Sequence, residues 1–234
     1  MATAGLYDTP KLQSPESVVL STSNHQENGS DVNTIDQFDE KSLILTLSST
    51  DSDLEVPLNT SWSFWIDKST RGFSAAEYQA NLKKVYTVST VQAFWGVFNH
   101  IPAVDKVSDK YSYHLMRYEH RPLWEDEYNS KGGTWRLKIT QEHTPKVWKE
   151  LLLAAIGEQF SANIHPDDDI CGISVSVRER DNIIQIWNKD SELAEETTVL
   201  QKVHELIPDL STLAEFYKPH QTHRAFEGQK KSSE

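Results

Sequence analysis

An α+β domain, with one antiparallel sheet and helices packed singly against it, is the architecture this chain predicts. Three observations predict it. Strand-like stretches with period-two alternation recur from Pro57 onward, as where Trp135, Leu137 and Ile139 share one face and Thr134, Arg136 and Lys138 the other. Helix-like stretches fall between them one at a time, which suits helices on one face of a single sheet. Seven tryptophans, at 62, 65, 95, 124, 135, 148 and 187, are spread through the same region and absent before it. Each indole has a large surface to bury and an N–H to satisfy, so some must be core and others are free to hold a flat ligand.

Residues 1–55 differ in kind. They hold ten acidic residues against two lysines, with Tyr7 and Phe38 as their aromatics. Such a segment buries too little apolar surface to offset its ordering entropy, so a disordered acidic tail is expected, with 43–47 as a docking or transient element. Residues 61–66 then read as an aromatic-rich strand closing at Asp67-Lys68-Ser69. A polar loop with Gly72 follows, and 81–86 returns to the sheet. Strands are further expected over 111–118, 134–140, 173–178, 183–187 and 214–217, the last ended by Pro219.

Helices are expected over 90–99, over 145–160 with proline at a permitted first-turn position, and over 192–206. In the first, Val91, Phe94, Trp95, Val97 and Phe98 cover more of the circumference than one buried stripe needs. Phe94 and Phe98 can face the sheet, leaving Val91 and Trp95 outward. In the second, Leu153 falls off the stripe of Trp148, Leu151, Leu152 and Ile156. An outward apolar patch of this kind is either a partner site or is covered by another part of the chain.

Of the formal charge of -12, the first 55 residues carry -8. The remainder shows no basic excess with which to track a nucleic-acid backbone, so any nucleic-acid contact is expected to be local, to one or a few nucleotides. A single Cys171 excludes an intramolecular disulfide framework and fits a reducing compartment. No leader pattern is present, and no run approaches the ~18 apolar residues of a membrane span. A soluble cytoplasmic monomer is expected.

Trp124-Glu125 is the strongest local chemical signal. An indole face stacks on a planar base, and the carboxylate beside it accepts two hydrogen bonds from an N–H pair such as guanine N1–H and N2–H₂. A base alkylated at N7 is positively charged, and a desolvated cation–π contact then adds about 2 kcal/mol. The plainer alternative is a loop tryptophan capping the core beside solvated acids. Arg178 and Arg180 alternate beside a turn, where their guanidinium forks suit phosphate oxygens or are simply solvated. The run Asp167-Asp168-Asp169 cannot converge on one ion and has no EF-hand spacing, and His220 with His223 lacks further zinc ligands. Nucleophile-elbow, Walker and dinucleotide-binding motifs are missing, and Cys171 in an apolar strand is expected to pack. Neither catalysis, a cofactor nor a metal site is expected.

The phrases Trp62-Ser63-Phe64-Trp65, Val91-Gln92-Ala93-Phe94-Trp95, Pro122-Leu123-Trp124-Glu125-Asp126-Glu127, Lys131-Gly132-Gly133-Thr134-Trp135, Ile156-Gly157-Glu158 and Cys171-Gly172 occur in an order that resembles the translation initiation factor 4E family, which binds the 7-methylguanosine cap of mRNA. The resemblance runs from about Val56 to His220, giving a domain over 56–220 and a flexible C-terminal tail over 221–234. It implies a curved eight-stranded antiparallel sheet with three helices on its convex face. It makes Trp124 one slab of an aromatic sandwich around the methylated guanine, Glu125 the carboxylate on the base, Trp187 the contact to the N7-methyl group, and Arg178 and Arg180 phosphate-side cations. On the back, Pro57, Val91, Trp95, Glu150 and Leu153 match the surface that docks the Tyr-x-x-x-x-Leu-hydrophobic helix of scaffold and repressor proteins.

The departures from the family pattern carry information too. Tyr78 stands where the second sandwich tryptophan belongs, Thr134 where an arginine follows the glycine pair, Ile183 where a lysine closes the hairpin, and Lys149 where a dorsal leucine sits beside Glu150. Loss of that tryptophan, with phrases such as Phe216-Tyr217-Lys218-Pro219-His220, resembles the type-3 subclass. The implied function is cap binding through a type-3 pocket and regulation of translation initiation. The rival is an interaction protein that keeps the dorsal surface and titrates scaffold partners without appreciable cap binding.

Overall fold

The computed structural model describes residues 55–68 and 75–222. The acidic tail, the segment 43–47, Gly72 and His223 lie outside the described residues. In chain order the elements are β1 (Pro57–Lys68), α1 (Ala75–Asn81), β2 (Lys83–Thr90), α2 (Val91–His100), β3 (Tyr111–Arg117), β4 (Gly133–Thr140), α3 (Thr144–Ile156), β5 (Ile170–Ser176), β6 (Asp181–Asn188), a 3-10 turn (Ser191–Glu196), α4 (Val199–Leu206), β7 (Ala214–Pro219) and a second 3-10 turn (His220–Thr222). The strands form one sheet in the order β2-β1-β3-β5-β6-β4-β7, and every pairing is antiparallel. This is the α+β layer that the alternation predicts.

Two counts differ from the expectation. Among the described residues the sheet has seven strands, not eight. Among the same residues there are four α-helices and not three. Residues 75–81, read as loop, form α1, so the return to the sheet begins at Lys83. The third expected helix is broken in two. Thr197 and Thr198 sit at the break, both β-branched, and the Thr197 hydroxyl donates back to the Ala194 carbonyl at 2.9 Å, which competes with the helical ladder. The second ends at Ile156, because Gly157 caps it and Glu158 takes a left-handed backbone with φ of 53°.

Neighbouring residues on the strands divide the aromatic surface between two faces. Phe64, Leu115 and Ile186 belong to the main core, with Phe94 of α2, Leu151 of α3 and Val203 of α4. The next residue along each of those strands, Trp65, Met116 and Trp187, belongs with Cys171 to a smaller cluster. Helices α2, α3 and α4 therefore cover one face, and the small cluster lies on the other, where Tyr78 of α1 reaches Asp67. Cys171 packs there; burial, and then Asp169 and Asp168 nearby, push its thiol well above the ordinary value.

Arg117 ties the main core to the end of α3. Its guanidinium is 4.5 Å from the Trp62 ring and donates to both Glu158 oxygens at 2.7 and 2.9 Å, while Nε donates to the Ile170 carbonyl at 3.0 Å. The left-handed Glu158 backbone aims the carboxylate at this fork. Asp168 has an equivalent task across β5 and β6. Its Oδ1 accepts from the Asp169, Lys189 and Asp190 amides, and its Oδ2 from the Asn188 side chain.

Burial by itself would raise the Glu158 carboxyl, but the hydrogen bonds from Arg117 outweigh it and hold the pKa below the ordinary value. A carboxylate lowered by folding contributes stability above its unfolded pKa, and that stability is lost as pH falls through the folded value. Asp169, raised chiefly by burial, acts in the opposite sense. Glu158→Gln should therefore lower the melting temperature at neutral pH and flatten the acid side of a melting temperature–pH profile. An acid limb identical to wild type would assign acid sensitivity to other carboxylates.

Candidate functional site

Five of the seven tryptophans are buried; Trp95 and Trp124 are half-exposed, one on the helical side and one on the other. Trp124 lies in the loop between β3 and β4 and packs on the small cluster that contains Trp187. The loop is pinned from within by Asn129, which is fully buried and donates to the Arg121 and Leu123 carbonyls at 2.8 and 2.9 Å. Glu125, the next residue after Trp124, is exposed. The fold thus brings Trp124, Glu125 and Trp187 to one face, with the carboxylate left in solvent and the two indoles on shared packing.

Beneath them runs a buried polar chain that crosses four adjacent strands. The Trp187 indole N–H donates to Ser174 Oγ at 2.8 Å. Ser174 Oγ is 2.7 Å from His114 Nδ1, and His114 Nε2 is 2.7 Å from Asp67 Oδ2. Tyr78 completes the chain, its hydroxyl donating to the same Asp67 oxygen at 3.1 Å. The two imidazole nitrogens thus join the serine hydroxyl to the carboxylate. The chain fixes the plane of Trp187, and the His220 ring braces it at 4.9 Å between centroids.

Tyr78 belongs to α1 and is half-buried. Burial, followed by the nearby Asp67 and Glu125 carboxylates, raises its hydroxyl far above the usual phenol range. It therefore stays a neutral donor, anchored to Asp67. The other candidates lie further along the same face. Arg178 and Arg180 are both exposed, in the turn between β5 and β6. The turn is held by Asn182, whose Oδ1 accepts the Arg178 amide at 2.9 Å, and by Gln141, which donates to the Arg178 carbonyl at 2.8 Å.

On the helical side, Pro57 is exposed and sits beside the start of α2, where the Val91 amide donates to the Val56 carbonyl at 2.9 Å. Val91, Glu150 and Leu153 are half-buried. Trp95 departs from the outward placement its helical spacing predicts. Its ring packs edge-on against Phe94 and Phe98 at 5.4 and 5.6 Å, so it is only partly exposed. Three aromatics within one helical turn share each other's surface, and that shelters Trp95.

The sequence reading missed Asp67, His114, Ser174 and Arg136. The strand period already set Ser174 apart from Ile173 and Val175, but nothing local joins residues 47 and 60 positions apart, as His114 is from Asp67 and Ser174. Arg136 is half-buried on the same face as Thr134, to whose hydroxyl its Nε donates at 3.0 Å. Ser174→Ala should orphan the Trp187 N–H and cost about 1–3 kcal/mol in urea unfolding. Tyr78→Phe, which keeps the ring and removes only its donor, should cost stability in the same assay. If both variants unfold like wild type, the chain bears no load.

The eukaryotic initiation factor 4E family model matches residues 57–234. The chain is 32% identical over 191 residues to eukaryotic translation initiation factor 4E-1 of Capsicum annuum, covering 82% of this chain and 81% of that one. It is 36% identical to the 4E-1 factor of Solanum habrochaites over 135 residues, which cover 58% of this chain and 57% of the relative. Among solved structures it is similar to the complex of C. elegans eIF4E-3 with the 4E-binding protein Mextli and cap analog, with TM-score 0.62, 28% identity and coverage of 71% and 94%. It is likewise similar to Ascaris suum eIF4E-3 with m2,2,7G cap, with TM-score 0.61, 30% identity and coverage of 73% and 94%. This chain belongs to the eukaryotic initiation factor 4E family.

Proposed function

We propose that this protein binds the 7-methylguanosine cap of mRNA, carries out no chemistry on it, and regulates translation initiation as a type-3 member of its family. One observation carries the reading: Trp124 is half-open over the cluster that holds Trp187, with the exposed Glu125 carboxylate next to it. The methylated guanine stacks on Trp124, its N1–H and N2–H₂ donate to Glu125, and its positive charge strengthens the stack. Trp187, 2% exposed with its N–H committed to Ser174, backs the site, and the N7-methyl group meets the edge of its ring. Arg178 and Arg180 serve the phosphates. Tyr78 supplies no second slab, because swinging its ring over the base would break the bond to Asp67. A pocket with one stacking face holds the cap less tightly than a two-tryptophan sandwich. That eIF4E-3 proteins of C. elegans and Ascaris suum were solved with cap ligands supports the type-3 assignment.

Residues 56–220 are the cap-binding unit in this reading, with 1–55 and 221–234 as tails. The helical face, with Pro57, Val91, Trp95, Glu150 and Leu153, docks a Tyr-x-x-x-x-Leu-hydrophobic helix of a scaffold or repressor. The Mextli complexes of C. elegans eIF4E-3 support a protein partner.

Titration with 7-methyl-GTP should quench tryptophan fluorescence where GTP does not. Trp124→Ala should abolish the response in a folded protein, since base–aromatic stacking is worth about 1–3 kcal/mol. Glu125→Gln should be nearly as harmful, because an amide donor then faces the base's own donors. Calorimetry that finds wild-type affinity in Trp124→Ala would end the pocket assignment. A wild type that binds a partner helix but no cap would favour the titrating interaction protein.

For the back, Trp95→Ala should remove binding of a Tyr-x-x-x-x-Leu-hydrophobic peptide. Its ring is half-exposed, so the stability cost should stay below the ~3–5 kcal/mol of a core aromatic truncation. A full core-sized loss would make Trp95 a packing residue.

A further inference from the structure

On the face that carries Trp187, the sheet continues past the proposed base site through β4 to the edge strand β7. Trp187 pairs with Thr134, which pairs with Lys218; two residues along, Gln185 pairs with Arg136, which pairs with Phe216. Residues directly opposite on antiparallel strands share a face. The contact of Trp135 with Tyr217 on the helical side, at 5.1 Å between rings, fixes the alternation. Phe216 therefore stands on the site face, and 48% of it is exposed. From strand spacing and rise it lies roughly 12 Å from Trp187.

The cations on this face differ in how they are compensated. Lys138 is paired with Asp181 at 3.0 Å. Arg136 and Arg178 have no carboxylate partner among the described residues. Burial, and then the charge of Arg178, disfavour the charged form of Arg136. Two such guanidinium groups, one half-buried and neither neutralised, cost stability unless an anion joins them. An exposed aromatic ring beside such cations is the composition of a stacking platform for a nucleotide strand.

We propose that Phe216 and Arg136 form a second subsite, which takes the nucleotide that follows the capped guanosine. The ring of Phe216 stacks on the base of that nucleotide, and Arg136 with Arg178 holds the phosphates leading to it. Arg136 thereby supplies a cation two residues from Thr134, where the expected arginine is missing. The subsite rests on the cap-binding reading, since the chain of phosphates must start from a base held at Trp124.

The test compares the capped dinucleotide m7GpppA with 7-methyl-GTP by calorimetry, in wild type, F216A, F216W and R136Q. Differences in ligand charge cancel when the ratio of the two affinities is compared between proteins. F216A should weaken the dinucleotide roughly five-fold or more and leave 7-methyl-GTP within about two-fold. F216W should preserve or improve dinucleotide binding. R136Q should weaken both ligands and lower the slope of log affinity against log salt by roughly 0.7. An F216A ratio equal to that of wild type, or an unchanged salt slope in R136Q, would overturn the subsite and leave the base site standing. A wild type that binds neither ligand would remove both.

Discussion

The Asp67 carboxylate is 1% exposed and lies on the last turn of the pleat before β1 ends. A charge so placed is tolerable only with donors built around it, and the fold supplies them from elements far apart in sequence. His114 comes from β3 and Tyr78 from α1, and both reach Oδ2. His114 Nε2 faces Asp67, and its Nδ1 faces Ser174 on β5. Ser174 also accepts from the Trp187 indole on β6. One buried carboxylate therefore anchors a run of side chains across β1, β3, β5 and β6, which are adjacent in the sheet. Helix α1 and the plane of an indole are tied to that carboxylate through Oδ2 alone, since its Oδ1 has no hydrogen-bond partner among the described residues.

The same constraint divides the candidate pocket into rigid and open parts. Trp187 is locked at its N–H and braced by His220. Tyr78 is locked at its hydroxyl. Trp124 gains its position from a loop pinned by the buried Asn129, so its ring is held without being enclosed. Rings held in place beforehand lose little freedom if a ligand packs on them. Tyr78 is thus committed to a structural contact with Asp67.

Period and propensity made most of the fold legible. The alternation of Thr134 to Thr140 is met in β4, Val91 to Asn99 lies within α2, and the sheet is antiparallel with α2, α3 and α4 on one face, while α1 lies on the other. The misses are places where long-range contacts decide. Residues 75–81 look like loop because Ala-Ala-Glu-Tyr-Gln-Ala-Asn has no apolar stripe, yet Tyr78 finds Asp67 and Leu82 joins the small cluster. The helix over 192–206 looks continuous until the Thr197 hydroxyl takes a backbone carbonyl. Of the site, Trp124-Glu125 stood out as a dipeptide, whereas Asp67, His114 and Ser174 are ordinary residues in their own strands. Their meaning lies in their mutual distance, which a linear pattern does not carry. Trp95 was misjudged for a related reason: helical spacing gives direction but not the shelter that Phe94 and Phe98 provide.

Because adjacent residues on a strand serve opposite faces, the two surfaces of the sheet cannot vary independently. Phe64 packs on Phe94 of α2 at 5.7 Å, while Trp65 builds the small cluster under Trp124. Leu115 with Met116, and Ile186 with Trp187, repeat the arrangement on β3 and β6. A shift of one residue in any of these pairings would exchange a core ring for a site ring, so register is fixed from both sides at once. Gly172 shows how little slack remains: a methyl group there would fall 2.8 Å from the Leu115 carbonyl and into Met116 Sδ. The site face can be altered without disturbing the helical face only where a side chain is neither buried nor opposite a buried neighbour. Along β7 that condition is met at Phe216, at the open end of the sheet, where the ring lies outside both clusters. That edge is where changes in what the face binds can arise without refolding the domain.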